Sequence, residues 1–246
     1  MRRVEVLGIE GLPEVHPGDD LAQLIADRAE LRDGDVVVVA QKIISKAEGR
    51  IRRLRDVEAG ERAKEIAPRL IAEPDPRAVQ VVLDESVRVL RDERILITES
   101  KQGFVSANAG VDHSNIPGDD ALTLLPDDPD ASAARLRDGL QQRTGVSVGV
   151  IISDTFGRPW RLGIVNVALG IASAPSVVDL RGGLDDTGKP LHATVLAVAD
   201  DIAAAAGLVM GKTWRTPAVI VRGLEPGDRT GTGRDMIRPA GEDLFR

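Results

Sequence analysis

Residues 35–50 read Asp35-Val36-Val37-Val38-Val39-Ala40-Gln41-Lys42-Ile43-Ile44-Ser45-Lys46-Ala47-Glu48-Gly49-Arg50. Four consecutive valines leave no polar alternation, so Asp35–Ala40 is expected to be a strand buried on both faces, as in a sheet covered by helices. Lys46 follows the end of that strand, where an ammonium can neutralise a β- or γ-phosphate. A lysine in such a place is also ordinarily just solvated.

Working outward, Val4–Leu7 reads as a second strand, and Asp19 or Asp20 can cap a helix whose Leu21, Leu24 and Ile25 share a face. Ala63, Ile66, Ala67, Leu70 and Ile71 predict a helix over Glu61–Glu73, which Pro68 should kink or shorten. Ser86–Leu90 and Arg94–Thr98 read as strands joined by the turn-like Arg91-Asp92-Glu93. A capped helix over Asp130–Leu140 aligns Ala133, Leu136 and Leu140, stops at Gly145 and feeds a buried strand over Val146–Ile152. An Ala-rich helix over Asp200–Met210 and a strand over Ala218–Val221 complete the pattern. No period of about 20–50 residues recurs. The expectation is a mixed α/β (α+β) fold, its strands too irregularly spaced for a barrel or a doubly wound sheet.

The 246 residues, 42% hydrophobic and 29% charged, suffice for one large domain or two small ones. The absence of Cys excludes disulfides, thiolate metal sites and a Cys nucleophile. A net charge of −7 argues against a nucleic-acid partner, and 2% aromatics with no Tyr argue against base-stacking platforms for single strands. The apolar part of Met1–Leu7 is too short for a signal peptide, and no run of about 18 apolar residues exists to enter a membrane. A cytoplasmic location is expected.

Four stretches carry candidate chemistry. Gly207-Leu208-Val209-Met210-Gly211-Lys212-Thr213 imitates a phosphate loop, but three residues separate its glycines where that motif has four, and it ends a helix instead of opening one. A helix cap at Gly211 followed by a turn is the simpler reading, from which Lys212 can still reach a phosphate. In Asn108-Ala109-Gly110-Val111-Asp112-His113-Ser114-Asn115, Asp112 offers a hard carboxylate for Mg²⁺ or Mn²⁺ and Asn115 an amide for a base or ribose. The same residues also suit a self-satisfied Asx turn. Asp154 and Thr155, expected at the carboxyl end of the strand that begins at Val146, form a partial oxygen shell for a hard cation. Arg158 and Arg161 beyond them supply planar donors for phosphate or carboxylate, unless Asp154 caps a turn and the arginines pair with surface acids. His16, His113 and His192 show no metal-ligand spacing, and no G-x-S-x-G nucleophile elbow is present.

Taken in order, Gly11-Leu12-Pro13-Glu14, Lys42-x-x-Ser45-Lys46-x-Glu48-Gly49, Ala109-Gly110-Val111-Asp112-x-Ser114-Asn115, Asp154-Thr155-x-Gly157-Arg158-x-Trp160-Arg161 and Arg238-Pro239-x-x-Glu242-Asp243-Leu244-Phe245-Arg246 resemble the coenzyme F420-0:L-glutamate ligase family. The resemblance runs from about residue 4 to the C-terminus. It implies a mixed fold of two intimately joined parts in an intertwined homodimer, with residues 1–246 as one ligase unit and no reductase domain after Arg246. The implied reaction is GTP-dependent: the carboxylate of F420-0 is phosphorylated, the L-glutamate amine displaces phosphate, and γ-linked glutamates follow. Mg²⁺ or Mn²⁺, two per site, is the implied metal, with K⁺ as a further candidate.

By motif, the resemblance sets Leu12, Pro13, Glu14 and Val15 along the nucleotide, with Gln41, Lys46, Asn115, Met210, Gly211 and Lys212 touching it. It gives Asp112, Asp154 and Thr155 to the metals, and Lys46 and Arg158 to catalysis. Gln41 departs from the small hydroxyl residue common in relatives, leaving only its amide for such a contact. Lys212 stands where archaeal relatives carry Gln near the second metal, and a protonated Lys cannot ligate. Two other readings use the same residues: a metal-dependent nucleotide phosphohydrolase, which turns over GTP alone, and a guanine-nucleotide-binding module without chemistry.

Overall fold

The computed structural model describes residues 3–113, 120–224 and 231–243. The first half of the chain forms β1 (Glu5–Gly8), α1 (Leu21–Ala26), β2 (Val36–Ala40), α2 (Gln41–Ala47), β3 (Ile51–Arg53), α3 (Glu61–Ile66), α4 (Pro76–Asp84), β4 (Ser86–Glu93), β5 (Ile95–Ser100), β6 (Val105–Ala107) and β7 (Ala121–Thr123). The second half forms α5 (Pro129–Thr144), β8 (Gly149–Arg158), β9 (Arg161–Ala172), β10 (Val178–Asp179), β11 (Val195–Leu196), α6 (Val198–Met210) and β12 (Ala218–Arg222).

The valine run lies at the centre of a five-stranded sheet ordered β1-β12-β2-β8-β9, in which β2 and β8 are parallel and the other neighbours antiparallel. Val37 and Val39 pack with Ile25, Ile44, Leu136 and Leu140 on one face; Val36 and Val38 pack with Ile202, Ala203 and Ala206 on the other. Both faces are therefore covered, which is why the strand shows no alternation. Between α2 and α5 the chain makes a two-stranded sheet (β3, β7) and a three-stranded one (β4-β5-β6) with α3 and α4, over separate apolar clusters around Ile66, Val79 and Leu96 and around Leu54 and Leu122. No helix among the described residues is long and apolar enough to cross a membrane.

Several boundaries differ from expectation for local reasons. The helix at Glu61 ends at Ile66, and Pro68 sits in a single 3-10 turn, Ala67–Arg69, because its ring cannot continue the α-helical hydrogen bonds. Arg91–Glu93 is strand rather than turn: β4 runs through it, and the reversal is carried by Arg94 at φ +64°. Of the two candidate caps for α1, Asp20 accepts from Gln23 N. The helix expected from Asp130 starts at Pro129, with Asp128 accepting from Ala131 N and Gly145 (φ +74°) ending it.

Asp130 is released from capping to another task. Strand β9 is the sheet's edge and carries an irregularity opposite Ile152/Ser153, which leaves backbone donors unpaired. Asp130 Oδ1 accepts from Ile171 N at 2.8 Å and from Gly233 N at 2.6 Å, and Asp200 Oδ1 accepts from Ala168 N at 2.8 Å. Replacing Asp130 by Ala strands two partly buried N–H groups and is expected to cost about 2–4 kcal/mol in urea unfolding. Asp130→Asn, which keeps one oxygen acceptor, should recover at least half of that loss.

Candidate active site at the carboxyl end of the central strand

The parallel ladder ends with Ala40 opposite Ser153. From there β2 passes directly into α2, whereas β8 runs on to Arg158 as a hairpin arm with β9. Asp154 and Thr155 thus lie within a continuing strand, not at its end as the sequence suggested; what ends beside them is β2. Brief as it is, α2 places Lys42 and Lys46 one turn apart on one side. Lys42 Nζ meets Asp112 Oδ2 at 2.8 Å, and Lys46 pairs with Glu14 Oε1. Both lysine side chains are largely withdrawn from water, at 15% and 6% exposure, so each ammonium depends on a charged or polar partner.

Asp112 is delivered by a strained turn. Asn108, Ala109 and Gly110 take positive φ values of 55°, 52° and 72° in succession, a conformation that non-glycine residues adopt at a cost of about 1 kcal/mol or more each. Burial of Ala109 among Ile66, Val79 and Leu96 holds it there. A side chain at Gly110 would come within 2.7 Å of Leu125. The turn then locks onto β7: Asp112 N donates to Thr123 O at 3.1 Å, and Thr123 N returns a bond to Asp112 O at 2.9 Å. The turn is closed by backbone, Val111 N donating to Asn108 O at 2.8 Å.

Asp154 makes no ion pair among the described residues. Loss of solvation pushes its carboxyl up to about 6, and the nearby charge of Asp112 adds to the rise; the Thr155 N–H, Lys212 and Lys42 pull the other way. Asp112 and Asp154, distant in sequence, thus feel one another's charge. Neighbours in a strand point to opposite faces, and Thr155 Oγ1 accepts from Lys212 Nζ at 2.8 Å. Met210 is buried and accepts weakly at Sδ from Asn166 Nδ2, and Gly211 (φ +53°) ends α6 just before Lys212, as the cap reading required.

Val15 is buried in the core and Leu12 half-buried, while Pro13 and Glu14 are exposed. Leu12 borders a cleft of about 780 Å³ whose other wall is Leu208, Val209, Trp214, Arg215 and Thr216; of the described residues expected at the nucleotide, Leu12 alone lines it. Gln41 is buried, its amide oxygen accepting from Ser45 Oγ at 2.8 Å. Arg158 stands farther along β8, exposed, donating to the Leu162 carbonyl. Asn115 lies outside the described residues, as do Ser114 and the tail from Leu244. Sequence reasoning gave Lys42 no role; recognising residues 41–47 as a helix would have placed it beside Lys46.

No group of three or more His, Cys, Asp or Glu able to hold a metal occurs among the described residues. Asp112 and Asp154 nevertheless offer the one or two carboxylates that a Mg²⁺-like ion commonly takes, the rest of its shell being water and phosphate; Thr155, the next residue along the strand, has its hydroxyl on Lys212. Asp154, desolvated and next to a like charge, is the kind of carboxylate that a cation relieves.

A family model described as F420-0:Gamma-glutamyl ligase matches residues 10–223. The chain belongs to this family. It is 46% identical over 248 residues to the coenzyme F420:L-glutamate ligase of Haloarcula marismortui, covering 99% of this chain and 96% of the relative. Identity to the protein of the same name from Archaeoglobus fulgidus is 48% over 245 residues, with 99% and 97% covered. The Methanopyrus kandleri counterpart is 46% identical over 255 residues, with both chains covered in full.

In this F420-0:gamma-glutamyl ligase family member, Asp154 makes stability depend on pH. Its folded-state carboxyl titrates near 6 and its unfolded-state one near 3.8, so the native chain holds the extra proton between those values. The group's contribution is most favourable below about pH 4 and declines as pH rises through 6, by about 3 kcal/mol. In chelator-treated protein, Asp154→Asn should raise the melting temperature by several degrees at pH 7.5. The gain should vanish near pH 4, as read by differential scanning calorimetry.

Proposed function

We propose that this chain is a GTP- and divalent-cation-dependent ligase that joins L-glutamate to coenzyme F420-0 and extends it through γ-linked glutamates. The observation that carries the reading is the meeting of Asp112 and Asp154 with Lys42 and Lys212 at the end of β2, in a chain that aligns over nearly its full length with ligases of that name. On this reading a carboxylate oxygen of F420-0 attacks the γ-phosphorus and GDP departs. The glutamate amine then attacks the acyl carbon, phosphate departs, and the amine gives up a proton.

Phosphoryl transfer asks a protein chiefly for positioning and charge neutralisation. Asp112, Asp154 and Thr155 are the residues to hold Mg²⁺ or Mn²⁺, two per site, which supply positive charge to the phosphate oxygens; K⁺ is a further candidate. Lys46 steadies the nucleotide phosphates, Lys42 orients Asp112, and Arg158 can receive a substrate carboxylate or acyl phosphate. Leu12–Val15 and Met210–Lys212 border the nucleotide, with Gln41 and Asn115 as further contacts. The chain acts in the cytoplasm.

Residues 51–123 and the central sheet are read as two joined parts. A homodimer is supported by the β8–β9 arm, whose Leu162 and Ile164 are 97% and 55% exposed, more apolar surface than an isolated ribbon keeps in water.

Incubation with F420-0, L-glutamate, GTP and Mg²⁺ should give glutamylated product by mass spectrometry. Phosphate release should require both acceptor and amino acid; free turnover of GTP alone would instead indicate a hydrolase. Asp154→Asn should lower ligation at least 100-fold at ordinary Mg²⁺, a loss typical of removing one electrostatic stabiliser of the transition state. Leu162→Asp should move the protein to monomer mass in light scattering.

A further inference from the structure

Arg50 follows α2, and its guanidinium is put to three uses at once. Its Nε donates to the Leu125 carbonyl at 3.0 Å, while one terminal nitrogen lies 2.8 Å from Glu85 Oε2 and 3.1 Å from Asp127 Oδ1. The backbone of the same residue accepts from Leu124 N at 3.0 Å and donates to Ser45 O at 2.7 Å, which ties α2 to the segment after β7. At 21% and 10% side-chain exposure, Arg50 and Glu85 make a mostly desolvated pair, and Lys101 Nζ brings a second cation to Glu85 at 3.2 Å. Such a pair is ordinarily a fastener between elements. Its place gives this one a further task, because Leu125 stands between the two pieces of chain that carry Asp112 and Asp154.

Leu125 is 2% exposed and lies against both pieces. A Cβ on Gly110, in the turn that aims Asp112, would come within 2.7 Å of Leu125 Cγ and Cδ2, so that backbone is seated on the leucine side chain. On its other side Leu125 shares an apolar cluster with Phe104 and Leu169, against which Phe156 and Val167 pack. Val167 is the register partner of Asp154, and Phe156 lies two residues beyond Asp154 on the same strand. Residues so related share a face, so the face of the β8–β9 arm that bears Asp154 closes on the cluster containing Leu125. One leucine thus spaces the two carboxylates, and Arg50 fixes its backbone from behind. We propose that Arg50 and Leu125 are positioning residues of the ligase site, setting the separation of Asp112 and Asp154 at which they take a divalent cation. Arg50→Lys keeps a charge beside Glu85 but lacks the planar fork that reaches a carbonyl and two carboxylates together. The proposal rests on the metal reading above.

The test is titration of the chelator-treated full chain with Mn²⁺, bound metal being read from the loss of the free-ion electron paramagnetic resonance signal, beside a melting curve for each variant. Arg50→Lys should lower Mn²⁺ affinity roughly 10- to 100-fold, the range for losing a group that orients a metal ligand. Leu125→Met, which conserves volume and so folds but lacks the branched shape, should lower it too. Glu85→Gln keeps an oxygen for the guanidinium and leaves the Leu125 bond in place. It should lower the melting temperature by several degrees, as Arg50→Lys does, yet hold Mn²⁺ at the wild-type affinity. Wild-type affinity in either Arg50→Lys or Leu125→Met overturns the assignment while leaving the metal reading intact. Affinity that falls in Glu85→Gln as far as in Arg50→Lys also overturns it, since general loosening of the fold then explains the loss. Absence of Mn²⁺ binding by wild-type protein overturns both.

Discussion

Two partly buried carboxylates within electrostatic reach of each other define this molecule's site, and the rest of the fold supplies what that arrangement needs. Asp154 rises on a strand that is buried up to Ser153, and Asp112 arrives from a separate sheet through a strained left-handed turn. The Asp112 charge adds to the desolvation that raises the proton affinity of Asp154. Lys42 bonded to Asp112 and Lys212 within electrostatic reach of Asp154 make the arrangement tolerable. The strain at Asn108 and Ala109 has the same origin, since a relaxed turn would aim Asp112 elsewhere and the packing of Ala109 compensates for it.

The two-sided burial of Val36–Val39 explains why the site is where it is. A strand covered by helices on both faces can expose chemistry only at its ends, and the carboxyl end of β2 opens straight into α2. That junction brings Lys42 and Lys46 to the edge where β1 also terminates, so Glu14 beyond β1 can reach Lys46. A smaller, mostly apolar cavity of about 270 Å³ at the opposite end, near Gly34 and Gly149, has no comparable set of charges.

What the sequence disclosed follows from the range of its signals. Buried strands, capped helices and Gly211 announce themselves through neighbouring residues, and these were found. Pro68 was seen to threaten its helix, but only tertiary packing decided that the helix would stop at Ile66. Strand β9 escaped notice because its interior holds Gly163 and Gly170 and its edge is satisfied by Asp130 and Asp200, a relation no local window contains. Asp112 and Asp154 were chosen as a pair through resemblance; their proximity is a long-range fact.

The charge inventory bears on how a triphosphate would be accommodated. Lys42 and Lys46 are bonded to Asp112 and Glu14, and Lys212 is bonded to the Thr155 hydroxyl within reach of the Asp154 charge. Each of these ammonium groups thus already meets an oxygen acceptor within the protein. A lysine that turned toward phosphate would give up that partner and leave Asp112 or Glu14, at 37% and 53% side-chain exposure, to water. Divalent cations remove the difficulty, because they satisfy the carboxylates and the phosphates together. On the proposed reading a divalent cation therefore answers the carboxylates and the phosphates at once, an arrangement from which cooperative binding of nucleotide and cation is expected.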